Sequence, residues 1–338
     1  MMDLEWSQKK WESWAEVGIK IFPHIKKKET KSEVNGIEEM LGITNKKTKI
    51  IDVCCGWGRH CVEFAKRGYI NIYGIDISEI FINYAKSQQN NNVKFIQKDL
   101  MKLNYKNKYD VLLSLWHSIG LYENEDRNLE FLNKIYSLLK PKGKVLIDVS
   151  NGYRDLQRMK RFSREVYIPG NKNWWYIDED NILGLTVANF DINKKKINYN
   201  VIVHEKVKGL DLKKIKESKS GSPVLSRENF LYKDDYISGN RHWRYNHNNE
   251  IVLSEIRKNI DNKRRVSYQI FEGFIHIRTR ALSTKRVSLR IYTKDELINL
   301  LRASGFQIYR IFGNFKMDDY FKDSPRLIVI GQKPNNKF

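Results

Sequence analysis

Two apolar runs and the turn between them set the tightest limit on what this chain can fold into. Ile50-Ile51-Asp52-Val53 runs into Cys54-Cys55-Gly56-Trp57-Gly58, where two glycines break the apolar pattern. A helical pattern follows from Arg59 to Arg67, and a second run, Tyr73-Gly74-Ile75, ends in Asp76, eighteen positions after Gly58. That order predicts strand, glycine turn, helix and a neighbouring strand with a terminal acid. Such a unit holds a nucleoside ligand: the glycines let backbone approach it, free N–H groups of the helix start favour an anion, and the carboxylate meets a ribose diol.

A dinucleotide site wants a third glycine three residues after the second, and Cys61 stands there. The turn instead reads Asp-x-x-x-Gly-x-Gly, from Asp52 to Gly58. Taken alone, this is also compatible with an ordinary βαβ unit, so the segments that follow carry the weight. Val93 to Leu100 reads as a third strand ending in Asp99-Leu100, and Tyr109 to His117 as a fourth. Asn128 to Leu139 has helical apolar spacing and stops at Pro141-Lys142-Gly143, and Lys144 to Val149 is a fifth strand.

These five elements, in this order over residues 48–151, resemble class I S-adenosylmethionine (SAM)-dependent methyltransferases. The loop Asp52 to His60 resembles the Asp-x-x-Cys-Gly-x-Gly-Arg-His form of a bacterial subgroup, as does the tail from Leu289 to Val329. The resemblance implies an α/β fold, a seven-stranded doubly wound sheet whose last two strands close as a hairpin, and SAM as cofactor. It implies cofactor contacts from Asp52, Cys54, Gly56, Trp57, Gly58 and Arg59 in the first loop. Asp76 and Ile77 would follow at the ribose, Asp99 and Leu100 at the adenine, and Ser114 and Trp116 beside the transferred methyl.

The sheet resumes late. Ser288 to Tyr292 precedes Thr293, which caps a helix with Glu296 three residues on, and Gly305 is the expected C-terminal cap. Gln307 to Phe315 and Arg326 to Gly331 read as the last two strands. The chain thus divides into an N-terminal helical cap (1–47), a SAM-binding core (48–151), a β-rich insertion between strand 5 and the following helix (152–287), and the completion of the core sheet (288–334). Within the insertion, Ile182 to Phe190 and Ile197 to His204 read as a hairpin, and Val266 to Ile270 and Phe274 to Thr279 as further strands. Lys213 to Asn249 is polar and turn-rich, as loops are.

Composition narrows the class. The formal net charge is +21, of which +13 falls within residues 151–290. That is the footprint of a nucleic-acid or acidic partner, or of a Lys- and Asn-rich composition with incidental basic surface. The start is charged and lacks a signal-peptide core, and no apolar run has membrane-spanning length, so a cytoplasmic protein without a membrane partner is expected. Cys54, Cys55 and Cys61 fit no disulfide framework or zinc site, and no metal is expected.

Methyl transfer needs an acceptor aligned with the sulfonium and a place for one proton. His117, ending the fourth strand, is the expected base, followed by Tyr122 in the same loop; a histidine that only lines the cofactor is the plainer alternative for His117. His60 is expected to pack or cap. Trp174-Trp175-Tyr176, Trp243 and Tyr245 could cage a cation or form the core of a small sheet. Trp6, Trp11, Trp14 and Val17 form a stripe on an N-terminal helix, which fits a helix closing over the site and equally plain packing.

A small molecule with an amine or hydroxyl is the expected acceptor, bound between the sheet edge and the insertion, which could also make a homodimer contact. RNA or DNA, a peptide or protein, and a SAM-binding scaffold without catalysis are the alternatives. The Asp/Asn/Ser-Pro-Pro-aromatic signature of nucleic-acid amino methylation is missing where Ser114-Leu115-Trp116-His117 stands, and all three cysteines precede the position that carbon-5 chemistry would use.

Overall fold

The computed structural model describes residues 2–88, 92–122, 124–154, 171–177, 182–191, 193–204, 213–218, 240–245, 250–260, 266–276 and 283–335. It divides into two compact units. One comprises Met1–Val166, Asp191–Ile197 and Ser288–Phe338, and the other Tyr167–Phe190 and Asn198–Val287.

The first unit opens with α1 (Met2–Leu41), which runs through Pro23. Its second half buries a stripe at helical spacing, Val34, Ile37 and Leu41, into the core beneath the sheet. Then come β1 (Ile50–Val53), α2 (Arg59–Lys66), β2 (Ile72–Asp76), α3 (Glu79–Ser87), β3 (Val93–Gln97), β4 (Tyr109–Ser114), α4 (Glu125–Leu138) and β5 (Leu139–Ser150).

The second unit carries most of the inserted strands. These are β6 (Asn171–Ile177), β7 (Ile182–Asp191), β8 (Lys196–His204), β9 (Lys213–Ser218), β10 (Asn240–Tyr245), β11 (Glu250–Ile260), β12 (Val266–His276) and β13 (Ser283–Arg290). They form two four-stranded sheets, ordered β13-β8-β7-β6 and β10-β11-β12-β9. The expected hairpin is present as β7 and β8. The two strands expected between 266 and 279 are one continuous strand, β12, paired with β11 along its whole length. Within the stretch read as loop, β9 and β10 are strands, and the residues between them lie outside the described set.

The chain finishes with α5 (Lys294–Ala303), β14 (Gln307–Phe312) and β15 (Arg326–Gln332). Thr293 and Glu296 form the full reciprocal capping box at the start of α5. The main sheet has seven strands in the order β14-β15-β5-β4-β1-β2-β3. β1 to β5 run parallel, and β15 is antiparallel to both β5 and β14. Its central strands are buried on both faces, with Leu112, Leu113, Val145, Leu146 and Ile147 fully enclosed, which explains their unbroken apolar runs. Each such side chain contributes roughly 1.5–3 kcal/mol by leaving water.

Two boundaries differ from expectation. α4 starts at Glu125, where the Asn124 side chain accepts from Asp126 N, and β5 begins at Leu139 rather than after Gly143. The Pro-Lys-Gly segment therefore lies within the strand, with Lys142 in the left-handed region.

The first turn is where glycine is needed. Gly56 and Gly58 sit at φ 54° and 74°. A Cβ on Gly56 would meet open space, whereas one on Gly58 would fall 2.6 Å from the Phe95 ring and 2.9 Å from Ala85 Cβ. Gly56→Ala should therefore cost only the left-handed backbone strain, about 1–2 kcal/mol. Gly58→Ala should lose a further 1–3 kcal/mol or so from overpacking. Urea denaturation of the two variants beside wild type tests this ordering.

Candidate functional site

The site grows from the carboxyl ends of the parallel strands. At the end of β1 the chain turns through Cys54, itself at φ 55°, and Cys55 N donates to Ile75 O of β2. Asp76, the last residue of β2, ties the turn down. Its Oδ2 accepts from Gly56 N at 2.8 Å and its Oδ1 from Ser78 N at 2.9 Å. Burial pushes this carboxyl up to about 6, against the pull of those backbone donors. Ile77 follows directly, and Ser78 caps α3 by accepting from Phe81 N.

At the start of α2 a buried ionic cluster joins the loop to the N-terminal helix. Glu33 of α1 places Oε2 2.5 Å from Arg59 Nη1 and 2.8 Å from His60 Nε2. Arg59 Nη1 also donates to Thr30 Oγ1 at 2.9 Å. Burial would raise Glu33, but the His60 hydrogen bond and the Arg59 and His60 charges hold it at about 2. Burial and the Arg59 charge depress His60 to about 4, so its ring is neutral near pH 7. Asp52, fully enclosed behind the loop, is driven up to about 8 by burial, with His60 Nδ1 at 4.0 Å and Cys61 Sγ at 3.9 Å. Burial likewise raises the Cys54 thiol far above its ordinary value, which leaves it un-ionised.

The ends of β3 and β4 complete the rim. Asp99 Oδ1 accepts from Met101 N to cap the short helical turn that begins at Leu100. β4 stops at Ser114, and beyond it Trp116 and His117 are consecutive left-handed residues, at φ 56° and 63°. Trp116 N donates to Asp148 Oδ2 at 3.1 Å, and His117 N to Asp148 O at 3.3 Å. Asp148, fully buried on β5, is paired in two-pronged fashion with Arg326 at the start of β15. His117 Nε2 lies 2.6 Å from Ser150 Oγ, and burial with the Arg326 charge depresses this imidazole to about 3. Tyr122 packs on Phe131, with ring centroids 6.2 Å apart, and burial lifts its phenol to about 12.

Aromatic rings wall the loop. Phe22 of α1 stacks on Trp57 at 5.4 Å and 14° and meets the edge of Trp116 at 6.5 Å. Arg59 lies 5.1 Å over the Trp116 ring. Trp14 packs on Phe22 within α1, and the side chain of Trp6 lies outside the described residues. The same holds for Trp174, Trp175, Tyr176, Trp243 and Tyr245.

Three side-chain atoms at the start of α2 and just past or at the ends of β3 and β4 are buried without a hydrogen-bond partner among the described residues: Arg59 Nη2, Asp99 Oδ2 and Ser114 Oγ. A buried orphan costs about 1–3 kcal/mol, or more if charged, so each of the three calls for a polar partner. One is a cation, one a carboxylate and one a hydroxyl. SAM offers a carboxylate, an ammonium, two ribose hydroxyls and an adenine amino group, so the donor and acceptor set fits it. No group of three or more His, Cys, Asp or Glu residues that could hold a metal occurs among the described residues.

Comparison with known proteins agrees. Residues 50–143 match the family model described as a methyltransferase domain. A curated protein of Geobacillus sp. (strain WCH70), provisionally named a methyltransferase, is 29% identical over 109 residues, spanning 31% of this chain and 44% of that relative. Among solved structures, a SAM-dependent methyltransferase of Clostridium acetobutylicum superposes with TM-score 0.59 at 12% identity, covering 93% of this chain and 98% of its own. The sugar N-methyltransferase KedS8 of Streptoalloteichus sp. gives 0.57 at 11% identity, covering 94% and 92%. Residues 50–143 thus resemble a methyltransferase domain, and the fold is that of solved SAM-dependent methyltransferases. The seven-stranded sheet is the sheet of that fold, and no described helix is long and apolar enough to cross a membrane.

Sequence reading passed over Glu33, Phe22, Asp148, Ser150 and Arg326. Arg326 lies in the tail that resembles the bacterial subgroup and Asp148 in the fifth strand, but neither carries a site role there, and each of the five joins the site from a distant segment. The burial of His60 beside Arg59 has a consequence for stability. A folded-state His60 value depressed from 6.5 to about 4 means that the unfolded chain takes up a proton the native chain refuses. That contribution is intact above pH 6.5 and is lost as pH falls towards 4. Asp52 and Asp76, both raised, act in the opposite sense, so a difference measurement is needed. The stability gap between wild type and His60→Asn should narrow by a few kcal/mol between pH 7 and pH 4 in chemical denaturation. A constant gap would show that His60 is not held neutral.

Proposed function

We propose that this chain transfers the methyl group of SAM to a small molecule, with an amine the acceptor the site suits best. The observation that carries the reading is the trio of buried, unsatisfied groups at Arg59, Asp99 and Ser114, at the start of α2 and the carboxyl ends of β3 and β4. In this reading Arg59 Nη2 and the free N–H groups of α2 take the methionyl carboxylate. Asp52 faces the ammonium, whose charge restores its ionised form. Asp76 accepts from the ribose hydroxyls, and Asp99 Oδ2 from the adenine amino group, with Ile77 and Leu100 against the adenine. Gly56 leaves room for the ligand, and Cys54, Trp57 and Trp116 line it, with Ser114 and Trp116 nearest the methyl.

The sulfonium arrives activated, so the protein's task is alignment, desolvation and the fate of one proton. His117 and Tyr122 are the titratable groups nearest that step. An imidazole held at about 3 is a weak base for a hydroxyl, and a phenol near 12 stays protonated. An amine entering neutral needs neither to ionise. Likeness of fold to a solved sugar N-methyltransferase supports a small-molecule acceptor; the nucleic-acid alternative rests on sequence charge alone.

The acceptor class is tested by incubating the protein with methyl-labelled SAM and a metabolite extract or total RNA; label is expected in the small-molecule fraction. His117→Ala should lower turnover on an amine less than about tenfold, and a loss of 10²–10⁴-fold would instead make His117 a general base.

The ribose contact has a pH signature. Asp76 is ionised above about pH 6, where it accepts well, and protonated below. The advantage of wild type over Asp76→Asn in SAM affinity by calorimetry should therefore shrink about tenfold per pH unit below 6 and be level above it, a ratio in which the Asp52 contribution cancels. Asp76→Asn should bind at least tenfold more weakly at pH 7.5.

A further inference from the structure

We propose that Glu33, on the N-terminal helix and outside every cofactor motif, is a positioning residue that aims the Arg59 guanidinium at the carboxylate of SAM. The proposal rests on the cofactor reading above. Glu33 is 7% exposed and spends Oε2 on two donors, Arg59 Nη1 at 2.5 Å and His60 Nε2 at 2.8 Å. Thr30, one turn earlier on α1, gives Arg59 Nη1 a second acceptor at 2.9 Å. Trp116 covers the guanidinium from the β4 side at 5.1 Å.

A guanidinium is a rigid planar fork. Two acceptors on Nη1 and a ring against the plane fix the direction of the other prong. That prong, Nη2, is the one buried without a partner among the described residues. Glu33 therefore does two things. It offsets the cost of burying a cation in a site that awaits its anion, and it occupies one side of the fork so that the other stays open to ligand. Since His60 is neutral, the carboxylate of Glu33 balances Arg59 alone.

The pairing can be separated from general support of the fold because ligands exist with and without the amino-acid tail. S-adenosylhomocysteine carries the carboxylate; 5′-methylthioadenosine keeps the nucleoside and thioether and lacks it. By calorimetry on the full chain, Glu33→Gln should weaken S-adenosylhomocysteine about tenfold or more and leave 5′-methylthioadenosine within about twofold. Arg59→Met should show the same selectivity, and the double variant should be no weaker than Arg59→Met alone. Glu33→Asp should restore part of the loss. If Glu33→Gln does not fold, Thr30→Val, which removes an uncharged acceptor, should give a smaller loss confined to S-adenosylhomocysteine.

Equal weakening of both probes would make Glu33 merely structural and overturn the proposal, as would tighter binding of S-adenosylhomocysteine by Glu33→Gln. No change in either probe would overturn it too. A wild type that binds neither probe would remove the cofactor reading and the proposal with it.

Discussion

The site depends on one carboxylate taking two backbone donors. Asp76 ends β2, yet its oxygens hold the N–H of Gly56 in the β1 loop and the N–H of Ser78 before α3. Adjacent parallel strands share ladder hydrogen bonds along their length but leave their terminal loops without a common scaffold. A buried acid at one strand end supplies it. With that tie in place, Gly56 keeps its left-handed turn and α2 starts at Arg59. The desolvation that raises Asp76 also makes each donor it accepts more valuable.

A second buried acid does similar work beyond the end of β4. Trp116 and His117 occupy the left-handed region in succession, a conformation that two bulky residues adopt only when their surroundings enforce it. Asp148 is that enforcement, accepting from both backbone N–H groups, one at the side chain and one at the carbonyl. Its charge is met by Arg326, 178 residues away in sequence. The antiparallel strand that closes the sheet therefore also sets the geometry of the loop beyond β4. Ser150, at the end of β5, then receives the His117 ring.

The N-terminal helix is the third contributor. Three positions spaced along α1 meet three parts of the rim. Glu12 accepts from Ser78 Oγ and from the N–H groups of Glu79 and Ile80 at the start of α3, Phe22 stacks on Trp57, and Glu33 holds Arg59 and His60. A segment that adds no strand to the sheet thus supplies a cap, a wall and a counter-ion to the cofactor loops.

Where chemistry lies within a few residues, it was legible in the sequence. The Thr293–Glu296 capping box, the Gly-x-Gly turn, the acid at the end of β2 and the apolar strands of the core are each a local pattern with a local physical cause. From them follow the order of elements, the class of sheet and the nucleoside-binding edge. Strand lengths in the insertion were less legible, because β11 and β12 are defined by pairing with each other rather than by their own alternation. Tertiary structure alone decided that Glu33, rather than another acid of α1, is buried against Arg59, that Asp148 and Arg326 meet, and that His117 is neutral and turned to Ser150. Those outcomes depend on desolvation and on partners tens to hundreds of residues apart, and neither leaves a mark at any single position in the chain.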